Sequence, residues 1–259
     1  MQRGLLAALI VGVLCALVGA YVVLRSMAFI GDAMAHAVLP GVAVAYLLGG
    51  NLTLGAIVAA VLVALGISIF SSRGGIKEDT AIGIMFSAAL ALGIALISSI
   101  RTYAVDLSHI LFGNILGISS ADLWLTGALG VTILAIVLLL YKPFLVISFD
   151  PVLAATLRLP VQLLRTLMLV LLALTIVISL QSVGVALVAA MLVTPSATAY
   201  LLTRRLPAMM LLSSLIGAFS GILGLYASYY LNISSGASIV LTATAIFVLV
   251  YIFAPKRRR

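Results

Sequence analysis

Two ionisable side chains stand inside an otherwise apolar run of the sequence, Asp32 and His36. The other five of the six acidic residues fall in loops or at the ends of apolar runs. On a helix, a spacing of four residues puts the carboxylate and the imidazole on one face, about one turn apart. If the run crosses a membrane from near Ser26, the pair lies about 9 and 15 Å deep. An ionisable group there costs at least about 2.5–3.5 kcal/mol, so the pair needs a compensating role.

A carboxylate and an imidazole that converge on one point favour a divalent cation. Two other interpretations stay open: the side chains hydrogen-bond each other or a neighbouring helix, or they form a proton relay. One chain offers only two ligands, whereas zinc takes four and manganese commonly six. A twofold axis would bring two copies of Asp32 and His36 together, so the metal hypothesis predicts a homodimer.

The remaining candidates for chemistry are weaker. Asp106 and His109 lie three residues apart, and we interpret them as ordinary loop residues rather than a second metal or docking site. The sequence has no His-Glu-x-x-His motif and no glycine loop ending in Gly-Lys-Ser or Gly-Lys-Thr. These absences argue against an enzyme and against a permanently bound cofactor, and they mean that any ATP would have to be hydrolysed by a separate partner.

The composition decides which elements position these residues. Hydrophobic residues make up 65% of the 259 positions and charged residues 8%, a balance that requires lipid as the solvent. A helix needs about 20 apolar residues to cross a bilayer. We predict an all-α, polytopic membrane protein with one transmembrane domain over residues 1–259. Nine apolar runs are the candidate spans: 4–24, 27–48, 53–71, 80–98, 121–141, 164–181, 183–203, 207–231 and 237–254. If the break near Gln181 is only a kink, the count is eight.

The net charge of +8 comes from Lys and Arg residues in the loops between membrane spans, and it does not indicate a nucleic-acid partner. With the amino terminus outside, twelve of the fourteen Lys and Arg residues fall in inner loops, and only Arg3 and Arg101 stay outside. This positive-inside bias predicts a multi-pass membrane protein with an external amino terminus and a cytoplasmic carboxyl terminus. The segment 99–120 then lies outside as a partly ordered cap.

The inner segment 142–163 carries its own helix signals. Asp150 is a good N-cap, Pro151 suits the first helical position, and Pro160 stops the helix. Elsewhere, Pro40 and Pro195 are expected to interrupt spans, and Gly12 and Gly19 to allow close packing. A second set of small residues indicates close helix packing: Gly217, Ala218, Ser220, Gly221, Gly224 and Ser228.

The stretch Tyr21–Gly41 resembles the signature of the bacterial ABC-type permeases for zinc, manganese and iron(II). The resemblance covers essentially the whole chain. It continues in the segments 77–84, 111–114 (Leu-Phe-Gly-Asn), 148–151 and 183–199.

The resemblance implies a permease homodimer, two cytoplasmic ABC ATPase subunits and an external metal-binding protein that delivers the ion. It also implies that Asp32 and His36 line the transmembrane metal site, and that residues 150–159 form the coupling helix that docks on the ATPase. Val152 and Arg158 depart from the pattern, in which an acidic residue and a glycine are common, and this affects the detailed docking contacts.

The ending Val38–Gly41 and the lead-in Tyr21–Arg25 are similar to the manganese branch of the family. The donor types alone accept Mn²⁺, Fe²⁺ and Zn²⁺. We expect Mn²⁺ as the transported ion, with Zn²⁺ or Fe²⁺ as alternatives. A secondary, proton-coupled cation carrier is the rival function; it would leave the segment 142–163 without a role.

Overall fold

The structure, a computed structural model, describes residues 2–73, 75–99 and 117–253. Within these ranges the chain forms helices and no strand, which confirms the all-α prediction. The helices are α1 (Gln2–Leu24), α2 (Ile30–Ala37), α3 (Leu39–Leu47), α4 (Leu52–Arg73), α5 (Glu78–Ser98), α6 (Ser120–Leu139), α7 (Tyr141–Phe149), α8 (Pro151–Thr156), α9 (Val161–Val183), α10 (Val185–Leu202), α11 (Leu206–Leu231) and α12 (Ser235–Phe253).

Among the described residues, eight candidate spans are long and apolar enough to cross a membrane, with α2 and α3 counted together as Ile30–Leu47. The apolar helix α10 is shorter than these spans. Eight or nine spans were expected, and the count is nine if α10 also crosses from one end of the bundle to the other.

Contacts along the helices show how α10 connects its neighbours. Arg25, just after α1, contacts Met168 near the start of α9, while the Cys15 thiol donates to Ser179 Oγ at 3.3 Å, further along both helices. Helix α9 therefore runs antiparallel to α1, and its last residue lies at the end of the bundle where α1 begins.

Helix α11 also runs antiparallel to α1. A Cβ added at Gly12 would lie 2.8 Å from the carbonyl oxygen of Gly217, and one added at Gly221 would lie 3.1 Å from that of Ala8. The start of α11 thus lies near the end of α1, so α10 must return the chain across the bundle. Together with the eight longer candidates, this gives nine alternating passes within the described part of the chain.

The small residues act in packing, as expected. Five of the six predicted small residues of α11 are buried, and Ala218 is half-buried: the five are Gly217, Ser220, Gly221, Gly224 and Ser228. A Cβ at Gly19 would lie 1.8 Å from the Leu192 carbonyl oxygen, so α1 and α10 touch through backbone atoms. Van der Waals contact of this kind is what holds helices together in lipid, where no hydrophobic drive operates between them.

Two expectations about helix interruptions need correction. The second span does not begin near Ser26: the backbone there adopts φ +56°, the Met27 N–H returns to the Val22 carbonyl, and α2 starts at Ile30. The span is then broken at Val38, before Pro40 at the start of α3. Pro195 does not interrupt its helix, since α10 continues through it to Leu202.

The inner segment forms two short helices, α7 and α8. The Asp150 carboxylate accepts the N–H groups of Val152 and Leu153, and Pro151 is the first residue of α8, which confirms the predicted start. The predicted end is wrong, because the helix ends at Thr156 and the turn through Leu157 and Arg158 stops it before Pro160. Arg158 adopts φ +56° in the turn that closes the helix, a left-handed conformation that glycine adopts without strain.

Candidate metal site

Asp32 and His36 lie on α2, the short half-helix between the turn at Ser26 and the break at Val38. As the four-residue spacing predicts, the two side chains lie on one face, with His36 Nδ1 3.6 Å from Asp32 Oδ1. That distance is too long for a hydrogen bond. In this conformation the two side chains therefore do not hydrogen-bond each other, although they are close enough to form an ion pair when the imidazole is protonated.

The imidazole is oriented by the helix backbone. His36 Nδ1 lies 2.9 Å from the carbonyl oxygen of Asp32, and because a carbonyl oxygen can only accept, Nδ1 carries the hydrogen. In a neutral ring Nε2 then holds the lone pair. Fixing one ring nitrogen by a hydrogen bond to a carbonyl is the usual way that proteins prepare the other for a metal ion.

Helix α5 forms the wall beside this pair. The ring of Phe86 meets the His36 ring edge to face, with centroids 6.1 Å apart, and meets the Phe29 ring in the same way at 5.7 Å. Phe86 lies eight residues after Glu78, so the imidazole lies about 12 Å along the bundle from the start of α5.

The pair remains open on one side. The Asp32 side chain is 48% exposed and the His36 side chain 30% exposed in the single chain. Within the described residues, no cluster of three or more His, Cys, Asp or Glu side chains could hold a metal ion. The described part of one chain therefore presents one carboxylate and one imidazole nitrogen at this site, both accessible to a cation or a second protein surface.

A largely buried ion pair attaches the α1–α2 connection to the start of α5. Arg25 Nη2 donates to Glu78 Oε2 at 2.5 Å, and the side chains are only 9% and 15% exposed. Burial lowers the pKa of the Arg25 guanidinium, Glu78 opposes this shift, and the cation of Arg165 on α9 adds to it. We call the end where this pair lies, which also carries Lys77 and Arg205, the basic end of the bundle.

The sequence identified Asp32 and His36, and the structure places them together. The sequence did not identify Phe86 as a wall of the site, because an aromatic residue in an apolar run is not distinctive. It also did not identify the pairing of Arg25 with Glu78, because charges at span ends are common. Asp106, His109 and the Leu-Phe-Gly-Asn segment at 111–114 lie outside the described residues.

A helical membrane protein with a carboxylate and an imidazole exposed on a broken helix belongs to the class of membrane transport proteins. The profile of the ABC 3 transport family matches residues 1–254, and the chain belongs to this family.

The chain is 49% identical over 257 residues to the manganese transport system membrane protein MntC of Halalkalibacterium halodurans, covering 99% of this chain and 88% of that protein. It is 48% identical over 259 residues to the manganese import system permease protein ScaB of Streptococcus parasanguinis, covering 100% of this chain and 92% of that protein. Among solved structures, that of PsaBC from Streptococcus pneumoniae in complex with Fab matches with a TM-score of 0.86 and 45% identity, covering 99% of this chain and 92% of that chain.

Proposed function

We propose that this chain is the membrane-spanning permease subunit of an ATP-binding-cassette importer that moves Mn²⁺ across the bacterial plasma membrane into the cytoplasm. The observation that carries this proposal is the half-exposed Asp32–His36 pair, with a free Nε2, inside a membrane helix. The names of the two relatives support manganese as the substrate.

In this proposal Asp32 and His36 are the intramembrane ligands of the passing ion. The Asp32 carboxylate offsets part of the dication's charge, and His36 Nε2 adds a directional ligand. Two ligands do not satisfy Mn²⁺, and both side chains are accessible, so a homodimer that brings two such pairs together completes four protein ligands. The break at Val38 lets α2 end beside the ion's path instead of continuing straight through it.

The basic end faces the cytoplasm in this proposal, with the amino terminus outside. Two cytoplasmic ABC ATPase subunits then dock on α8, one for each permease chain. Large apolar side chains are exposed around this short helix: Phe149 is 64% exposed, Val152 74% and Leu157 56%. Apolar groups exposed outside the membrane-spanning helices indicate a protein partner. An external metal-binding protein delivers the ion to the opposite face.

Transport measured in proteoliposomes tests the ligand assignment. The permease, reconstituted with its ATPase and binding protein, is loaded with radioactive Mn²⁺ outside and ATP inside. The variants Asp32→Asn and His36→Gln should lower uptake by at least about 10- to 100-fold, since even changes to groups behind a metal ligand cost that much. Asp122→Asn is the matched control, because it makes the same change at a carboxylate on a different helix. Asp122 lies in the first turn of α6, where Ser119 Oγ donates to Asp122 Oδ2 at 2.6 Å.

Wild-type uptake by both Asp32→Asn and His36→Gln would refute the ligand assignment. Uptake driven by a proton gradient in vesicles that contain no ATPase would instead favour the secondary carrier. Competition by Zn²⁺ and Fe²⁺ against labelled Mn²⁺ ranks the three ions, and preferred uptake of either competitor would overturn the choice of manganese.

A further inference from the structure

An apolar groove runs along the side of the bundle formed by α1, α6 and α11. It has a volume of about 540 Å³, and its walls are almost entirely hydrocarbon. Its main lining residues are Val13, Leu17, Leu138, Tyr141, Pro207 and Leu211. Leu138 is 55% exposed and Leu211 65% exposed, so the groove opens outward.

The groove ends at the basic end of the bundle, and two of its lining residues are close in sequence to cations. Tyr141, at the start of α7, is followed by Lys142, and Pro207 lies two residues after Arg205. The ring of Tyr21, near the end of α1, contacts Phe144 of α7 at 5.9 Å, which confirms that this junction lies at the basic end. Lys142 and Arg205 are exposed, and neither forms an ion pair with any residue that the structure describes.

The groove is on a different side of the bundle from the metal site. Helix α2 packs on α4, α5, α9 and α10, whereas the groove is built from α1, α6, α7 and α11. In the homodimer proposed above, the groove and the Asp32–His36 pair therefore lie on different faces of each chain.

From this juxtaposition we propose that the groove is a binding site for one anionic phospholipid of the cytoplasmic leaflet. An acyl chain lies between α1, α6 and α11, and the phosphate is held by Lys142 and Arg205. Burying methylene groups in the groove provides attraction without regard to the headgroup, and the two cations select an anionic headgroup over a zwitterionic one. The bound lipid contacts the junction of α6 and α7, from which the chain continues into α8.

Native mass spectrometry of the purified full chain in a mild detergent tests this site. The protein is titrated with phosphatidylglycerol and with phosphatidylcholine of the same acyl chains. The double variant Lys142→Ala/Arg205→Ala should weaken phosphatidylglycerol binding by about 30-fold, since each cation near the headgroups contributes about a factor of five. Its phosphatidylcholine binding should not change. Lys77→Ala, which removes an exposed cation at the same end but away from the groove, is the matched control.

A second variant, Leu138→Trp, fills the groove without changing any charge and should weaken the binding of both lipids. The proposal is overturned if wild-type protein does not prefer phosphatidylglycerol, if Lys77→Ala loses as much affinity as the double variant, or if Leu138→Trp binds normally. A chain dimer that Leu138→Trp disrupts would also overturn it, because a second copy would then be the occupant.

Discussion

The ion pair between Arg25 and Glu78 allows a quantitative test of how the α1–α2 connection is held. Glu78→Leu leaves the Arg25 guanidinium buried beside the cation of Arg165 with no counter-charge. Arg25→Met leaves the Glu78 carboxylate buried, and its Oε1 already has no hydrogen-bond partner among the described residues. Each change therefore leaves a largely buried charge unpaired.

The size of the effect follows from the burial of both groups, which are 9% and 15% exposed. Removing one partner of a buried pair costs about 3–5 kcal/mol, whereas replacing both by apolar residues is nearly neutral. We expect a loss of about 3 kcal/mol for each single variant and about 1 kcal/mol for the double variant Arg25→Met/Glu78→Leu. The coupling energy is then about −5 kcal/mol, the cost of the double variant minus the two single costs.

Thermal unfolding in detergent measures these differences. A loss of about 3 kcal/mol corresponds to a fall of about 6–12 °C in the unfolding temperature of a chain near this length, and most of it should return in the double variant. Lys77→Met, next to the pair in sequence but exposed, serves as the control and should change stability by less than about 0.5 kcal/mol. Single effects that add up in the double variant would show that the pair is not buried as described.

Two further substitutions test the backbone. Gly19→Ala would put a Cβ 1.8 Å from the Leu192 carbonyl oxygen and should cost about 1–3 kcal/mol in thermal unfolding, while Gly236→Ala, with no atom within 4 Å of its added Cβ, should cost nothing. Equal stability of these two variants would contradict the contact between α1 and α10. Arg158→Gly should leave the protein as stable or more stable by up to about 1 kcal/mol, because φ +56° suits glycine; a clear loss of stability would show that the arginine side chain contributes contacts of its own.

The elements that the sequence predicted well are those whose signal is local. The N-cap at Asp150 needs only its own carboxylate and the N–H groups two and three residues later, and the face shared by Asp32 and His36 needs only helical geometry. Each of the nine apolar runs likewise corresponds to one helix, or in the second run to α2 and α3 together, because lipid leaves the backbone few alternatives.

The features that the sequence missed depend on partners distant in the chain or on unusual backbone angles. Arg25 and Glu78 are 53 residues apart, and either alone looks like an ordinary charge at the end of a span. Ser26 adopts a left-handed backbone conformation that a serine in the sequence does not predict, so the start of α2 was placed four residues too early. Pro195 was expected to interrupt its helix, but α10 tolerates it, as membrane helices do when neighbours satisfy the freed backbone groups.

The burial of Cys15 has a practical consequence for labelling studies. It is the single cysteine in the sequence, its side chain is inaccessible, and its thiol is engaged with Ser179. Maleimide reagents applied in water should therefore leave the native chain unmodified. Reporter cysteines at exposed positions, such as Lys77 at one end and Asp122 at the other, then carry fluorophores or spin labels in an otherwise wild-type background.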